Sequence, residues 1–219
     1  MIATLIGGTG LTGSFLVRYL LADPAITKVI SISRKSLKIS DVKLTEVLIS
    51  DLAELPSLES QIRTESTIGG DLYFCCLGTT IKAAGSQENF EKVDRDAVVA
   101  FAKIAKVHDA KSFALVSAMG ANANSSFFYN RVKGQTENNV QVLGFRSLII
   151  FRPALLVGPR REVRLAEKIA ATTLVPLSRL LPARPRKSLI TDAETLARHM
   201  LAQGQAAPSG VHIIKAKDI

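Results

Sequence analysis

Tyr129 and Lys133 stand four residues apart in the stretch Tyr129-Asn-Arg-Val-Lys133, and Ser117 precedes the tyrosine by twelve positions. On a helix, a spacing of four puts phenol and amine on one face, one turn apart. A tyrosine ordinarily ionises at about pH 10 and is a poor base at neutrality. A neighbouring ammonium and a cationic nicotinamide both favour the phenolate, so the pair reads as a general acid/base with its electrostatic partner. Ser117 follows the apolar run Phe113-Ala-Leu-Val116 and is placed to hold a carbonyl or an alcohol. The three make a proton-transfer set for hydride chemistry. Tyr-x-x-x-Lys alone occurs by chance on many helices, and its weight here comes from the opening of the chain.

That opening is Met1-Ile-Ala-Thr-Leu-Ile-Gly-Gly-Thr-Gly-Leu-Thr-Gly13, a short apolar strand, a glycine-rich turn and then an apolar helix from Phe15 to Leu21. In a dinucleotide site the first glycine permits the tight turn, the second admits the pyrophosphate, and the third lets helix and strand pack closely. Gly7, Gly10 and Gly13 fit those roles, and so do Gly8, Gly10 and Gly13; spacing alone does not choose. Thr9, Leu11 and Thr12 fall in the loop and first helical turn, where backbone amides and the helix dipole face phosphate. Past the second strand the sequence is Ile32-Ser33-Arg34-Lys35, two cations where a site for NAD carries a carboxylate. Ser33 and Arg34 therefore suit a 2′-phosphate, which makes NADP (NADPH) the expected cofactor and NAD the less favoured one. Asp51 and Leu52, just past the third strand, fit the adenine, with a simple turn cap as the plainer role for Asp51. Leu77, Gly78 and Thr79 end the fourth strand, and a glycine there lets a cofactor lie against the backbone.

These residues require a frame. Val29–Ser33, Leu44–Ile49, Leu72–Leu77, Phe113–Ser117 and Ser147–Phe151 read as strands two to six, separated by helices at Ala97–Val107 and Tyr129–Leu143. Continuous apolar strands between helices predict an α/β fold, a doubly wound parallel sheet of Rossmann type. Thr191–Leu201 reads as a closing helix with a threonine cap and a glutamate three residues on, and Val211–Ile214 as a last strand. The expectation is a single NAD(P)-binding domain over 1–219, with 153–187 forming a small irregular substrate-side cap. Between Pro159 and Lys187 lie eight cations and two carboxylates, a large part of the net charge of +9. No aromatic residues interleave with them, so a solvated rim is favoured over a nucleic-acid surface. Apolar residues make up 47% and charged residues 21%, which excludes a disordered chain. No apolar run is long enough for a membrane span, and the apolar start carries no basic leader. Cys75 and Cys76, adjacent and without a disulfide framework, suit a reducing compartment, and cytoplasm is the expected location. His108, His199 and His212 lack ligand spacing, so no metal site is expected.

With these residues in place, the chain resembles the atypical short-chain dehydrogenases/reductases over nearly its full length. Within them it is similar to the oxidoreductases related to the HIV Tat-interactive protein, on Phe74-Cys-Cys-Leu-Gly-Thr-Thr80, Val93-Asp-Arg-Asp96, Phe128-Tyr-Asn-Arg-Val-Lys-Gly134 and Phe151-Arg-Pro153. The resemblance implies catalytic roles for Ser117, Tyr129 and Lys133, with Lys133 also gripping the nicotinamide ribose. It also implies that backbone at Pro153 meets the carboxamide. The implied activity is NADP-dependent hydride transfer to or from a small carbonyl or alcohol substrate. The alternative is an NADP(H)-binding regulator with little turnover. Helix pairing common in the superfamily implies a homodimer. One departure stands out: many members place an asparagine on the helix after the fourth strand, and here Asp94 stands near that place.

Overall fold

The computed structural model describes residues 1–56, 69–158 and 189–219. Seven strands form one sheet: β1 (Ile2–Ile6), β2 (Lys28–Ser33), β3 (Leu44–Leu48), β4 (Leu72–Cys75), β5 (Ser112–Val116), β6 (Ser147–Arg152) and β9 (Gly210–Lys215). Their order is β3-β2-β1-β4-β5-β6-β9, and every neighbouring pair is parallel. The order reverses between β1 and β4, which opens a crevice at the carboxyl ends of these strands. A two-stranded parallel sheet of β7 (Leu155–Val157) and β8 (Ile190–Asp192), not foreseen from the sequence, sits beside it. The expected doubly wound α/β fold is what forms. The region from 159 to 188, with most of the expected cap and all of its basic cluster, lies outside the described residues.

Strand alternation divides the core in two. Ala3, Leu5, Leu72 and Phe74 turn toward α1 (Leu11–Ala22) and the long helix Ala193–Ala206, meeting Phe15, Leu16, Leu20, Leu196 and Met200. Ile6, Tyr73, Cys75, Phe113 and Leu115 turn the other way, onto Phe101, Ile104 and Ala105 of the helix Ala97–Val107 and Val140 of the helix Phe128–Gln141. Each side chain of this size, fully buried, contributes about 1.5–3 kcal/mol. In chain order, α2 is Ile81–Ala84, α3 Gln87–Glu91, α4 Ala97–Val107, α5 Phe128–Gln141 and α6 Ala193–Ala206. Between α3 and α4 a π-helical turn spans Lys92–Asp96. The cap of α6 differs from expectation: Asp192 accepts from Thr195 N at 2.7 Å, while Thr191 Oγ1 accepts from Ala154 N at 3.0 Å. Thr191 belongs to β8 and is spent on the second sheet, so the cap falls one residue later.

Candidate functional site

A cleft of about 2490 Å³ runs along the carboxyl ends of the strands, from Arg34 past the glycine turn to Tyr129 and Pro153. Gly7 sits at φ +84°, and a Cβ there would lie 2.6 Å from the Cys76 carbonyl, so the turn itself demands glycine. A Cβ at Gly13 would meet Gly7 O at 2.2 Å, which fixes the helix against the turn. Gly10 differs: its φ is −77°, and its nearest neighbour would stand 3.2 Å away. The protein tolerates a side chain there almost as far as its own atoms are concerned, and the open space faces the cleft. Of the two glycine sets that spacing leaves open, this geometry matches Gly7, Gly10 and Gly13. Gly13 packs behind the cleft wall, whereas Gly7, Thr9, Gly10, Leu11 and Thr12 line it.

This turn fits a dinucleotide. Gly10 caps α1 without a side-chain hydrogen bond, no acidic residue occupies the first turn, and Thr12 Oγ1 is buried without a partner. Free amides, a positive helix end and an unspent hydroxyl suit a pyrophosphate. At Gly78 an added Cβ would meet only Asp94 Oδ1 at 3.6 Å and Lys133 Nζ at 3.8 Å, ordinary contacts. Nothing among the described residues requires glycine at this position, and its absence of a side chain leaves the cleft wall open there. Leu77, Gly78 and Thr79 line the same wall because β4 ends at Cys75, two residues earlier than expected. Farther along, Ser33, Arg34, Lys35 and Lys38 border the cleft with Arg18 of α1, a cation that sequence reading passed over. Ser33 Oγ donates to Lys35 O at 2.8 Å. Asp51 and Leu52 are also on the wall, and the Asp51 side chain caps the short turn Leu52–Glu54 by accepting from Ala53 N at 2.8 Å.

The three residues expected to transfer a proton, Ser117, Tyr129 and Lys133, all line this cleft. Tyr129, 38% exposed, lines the cleft with its ring against Phe90, and its hydroxyl has no hydrogen-bond partner among the described residues. Lys133, one turn on, is buried. Its Nζ lies 2.7 Å from Oδ1 of the fully buried Asp94, a close ion pair rather than an aligned hydrogen bond, while Asp94 Oδ2 accepts from Thr79 N at 2.8 Å. The π-helical turn brings Asp94 inward, and such turns recur at functional sites. Burial alone would push the Lys133 amine down; the Asp94 carboxylate and the Tyr129 phenol outweigh it and hold it above the ordinary lysine value. Lys133 is therefore half of a neutral pair, and the field it exerts on the phenol is weaker than that of a lone ammonium.

Ser117, the residue after β5, lies on the cleft wall and donates from Oγ to Glu137 Oε1 at 2.5 Å. Glu137, buried on α5, also accepts from Arg152 Nε at 3.0 Å and Nη2 at 2.5 Å. Sequence reading missed Glu137, although its signal was present: Tyr129, Lys133 and Glu137 follow at intervals of four and share a helix face. The helix itself is pinned by Gly134, where a Cβ would stand 2.1 Å from Ala123 N, and by Asn122 N donating to Asn130 O at 3.0 Å. Pro153, the residue after β6, reaches the cleft, and its carbonyl accepts from Met119 N at 2.8 Å.

A parallel sheet in this order, with a glycine turn at its switch point, is a dinucleotide-binding fold of Rossmann type. The chain belongs to the NAD(P)H-binding family, whose model matches residues 7–170. It is 38% identical over 170 residues to the protein named fmp52, mitochondrial, of Emericella nidulans, covering 76% of this chain and 71% of that one. It is 36% identical over 166 residues to the protein HTATIP2 of Rattus norvegicus, covering 76% and 67%. Among solved structures, WbmH of Bordetella bronchiseptica in complex with NAD+ superposes with a TM-score of 0.69 at 17% identity, covering 96% of this chain and 74% of that one. The expected cytoplasmic location does not stand, because the fmp52 relatives are named as mitochondrial proteins. Two unbridged cysteines do not specify an address.

Proposed function

We propose that the protein is an NADP-dependent oxidoreductase that transfers hydride to or from a small carbonyl or alcohol substrate. The observation that carries this reading is the meeting in one cleft of an unpartnered phenol, a buried amine and a strand-end hydroxyl beside a turn suited to a dinucleotide. When bound, the nicotinamide supplies or takes up the hydride. Tyr129 gives its proton to the carbonyl oxygen as that oxygen gains charge, or removes it from the alcohol in the reverse direction. Lys133, held by Asp94, grips the nicotinamide ribose from a fixed position. Ser117 rests its proton on Glu137 and so offers lone pairs, which suits a substrate hydroxyl; to hold a carbonyl it must turn its proton away from Glu137. Arg34 supplies the fork for a 2′-phosphate, with Lys35 beside it.

The test is Tyr129→Phe. Fluorescence titration with NADPH should give unchanged affinity, while NADPH oxidation over a panel of aldehydes and ketones disappears. Residual turnover at the wild-type rate in that variant would remove Tyr129 from the chemistry. A second reading, cofactor sensing with little turnover, is favoured by one specific feature: Ser117 and Lys133 are both already engaged, by Glu137 and Asp94. Tight NADPH binding by the wild-type protein with no carbonyl reduced across the panel would select it.

A further inference from the structure

We propose that the substrate carries an anionic group, carboxylate or phosphate, bound in a cationic side cavity next to the hydride-transfer centre. This rests on the oxidoreductase reading above. The cavity, of about 270 Å³, is lined by Met119, Gly120, Arg152, Lys215, Ala216 and Lys217. Its walls come from the segment leaving β5, the last residue of β6, and the last residue of β9 with the turn after it. That is the carboxyl edge of the sheet, where open parallel sheets bind ligands. Met119 lies two residues past Ser117 and lines both this cavity and the cofactor cleft, so the two share a wall. Gly120 abuts the side chain of Asn130, the neighbour of Tyr129. A molecule with its reacting carbon near Tyr129 thus has an adjacent space for its far end.

The charge of that space is one-sided. Three of the six lining residues are cations and none is a carboxylate; Glu137 balances Arg152, so the net charge comes from Lys215 and Lys217. Glu137 takes Nε and Nη2 of Arg152 and leaves Nη1 without a hydrogen-bond partner among the described residues. Lys215 and Lys217 have no ion pair or hydrogen bond to a described residue through their side chains. Pocket walls of one sign concentrate field lines and draw a small ligand of the opposite sign. An oxyanion placed there collects donors that the protein leaves unspent, whereas a neutral substrate leaves like charges facing one another.

The experiment uses the full chain and a matched pair of aldehydes, 4-carboxybenzaldehyde and its methyl ester, with NADPH oxidation as readout. The acid should be preferred in kcat/KM by about tenfold or more, the lower end of the gain from a cleft lined by one sign of charge. Raised salt should shrink the preference. The Lys215→Ala/Lys217→Ala double variant should raise KM for the acid and leave the ester unchanged. Equal use of acid and ester by the wild-type protein would overturn the proposal. Should neither aldehyde react, the oxidoreductase reading fails for these substrates, and calorimetry on the NADPH-loaded protein decides the cavity separately. Benzoate or phenyl phosphate binding that weakens in the double variant supports the cavity, and the tighter of the two assigns the anion. Absence of binding, or binding unchanged in the variant, overturns it.

Discussion

Asp94 is the residue where a single-atom change should be most revealing. Two donors converge on its carboxylate, the Lys133 ammonium at 2.7 Å and Thr79 N at 2.8 Å, and the carboxylate and the amine are both buried. A carboxylate accepts from both. The amide of Asp94→Asn accepts from one and turns its NH2 on the other. Removing one partner of a buried ion pair costs roughly 3–5 kcal/mol. Lys133 has one escape: it can lose its proton, at a cost of about 4.6 kcal/mol at pH 7 for an amine of ordinary pKa. Both routes give a loss of about 3–5 kcal/mol, equivalent to a fall of roughly 6–20 °C in Tm for a chain of this length.

The pH dependence separates this cause from mere misfit. In the wild-type protein the Lys133 pKa is raised, so the pair's contribution is fully present below the unfolded lysine value and is lost only as pH rises through the folded one. In Asp94→Asn the burial that remains depresses the amine. The unfolded chain then binds the extra proton, and stability rises with pH up to about pH 10.4. Urea unfolding of both proteins at about pH 7 and about pH 9.5 should show the deficit shrinking to about 1.2 kcal/mol at the higher value, the remaining cost of deprotonation. Titrations common to both proteins cancel in the difference. A deficit below about 1 kcal/mol at pH 7, or one that is equal at both pH values, would refute the account of Lys133 as an ammonium held by Asp94.

Gly78→Ala should leave stability within about 0.5 kcal/mol, since its new Cβ meets only ordinary contacts. It should weaken NADPH binding by the roughly 1–3 kcal/mol of an overpacked contact, about five- to 150-fold in Kd; unaltered affinity would mean that nothing lies against residue 78. Arg34→Ala, measured by calorimetry with both cofactors, should cost NADP about 1.5–3 kcal/mol and NAD almost nothing. Equal losses for the two would remove Arg34 from the 2′-phosphate. His108 Nδ1 is hydrogen-bonded to the Tyr73 hydroxyl at 2.6 Å, and burial lowers the imidazole pKa. Its contribution is therefore present above the unfolded histidine value of about 6.5 and lost as pH falls through the lower folded one. Urea midpoints at about pH 7.5 and about 5.5 should fall on acidification less in His108→Gln than in the wild-type protein, and an identical fall would disconnect His108 from it.

What the sequence carries and what it hides divide along physical lines. Period-two and near-continuous apolar runs mark β1, β2, β4, β5 and β6 to within one or two residues because burial on both faces leaves no polar position to blur them. The phenol and amine were legible for an equally local reason, since a helix fixes what stands four residues apart, and the hydroxyl was marked by the apolar run of β5 before it. Partners brought from elsewhere were not. Asp94 reaches Lys133 across 39 positions through a π turn that no composition rule signals. Glu137 shares the helix face of Tyr129 and Lys133, yet its meaning depends on Ser117 and on Arg152, each delivered by a different strand. Those long-range contacts change the chemistry inferred from the motif alone. They convert an ammonium into a neutral pair and a donor serine into one whose proton is already committed. A motif therefore specifies which groups are present, and the sheet decides which of their charges and protons remain to be spent on substrate.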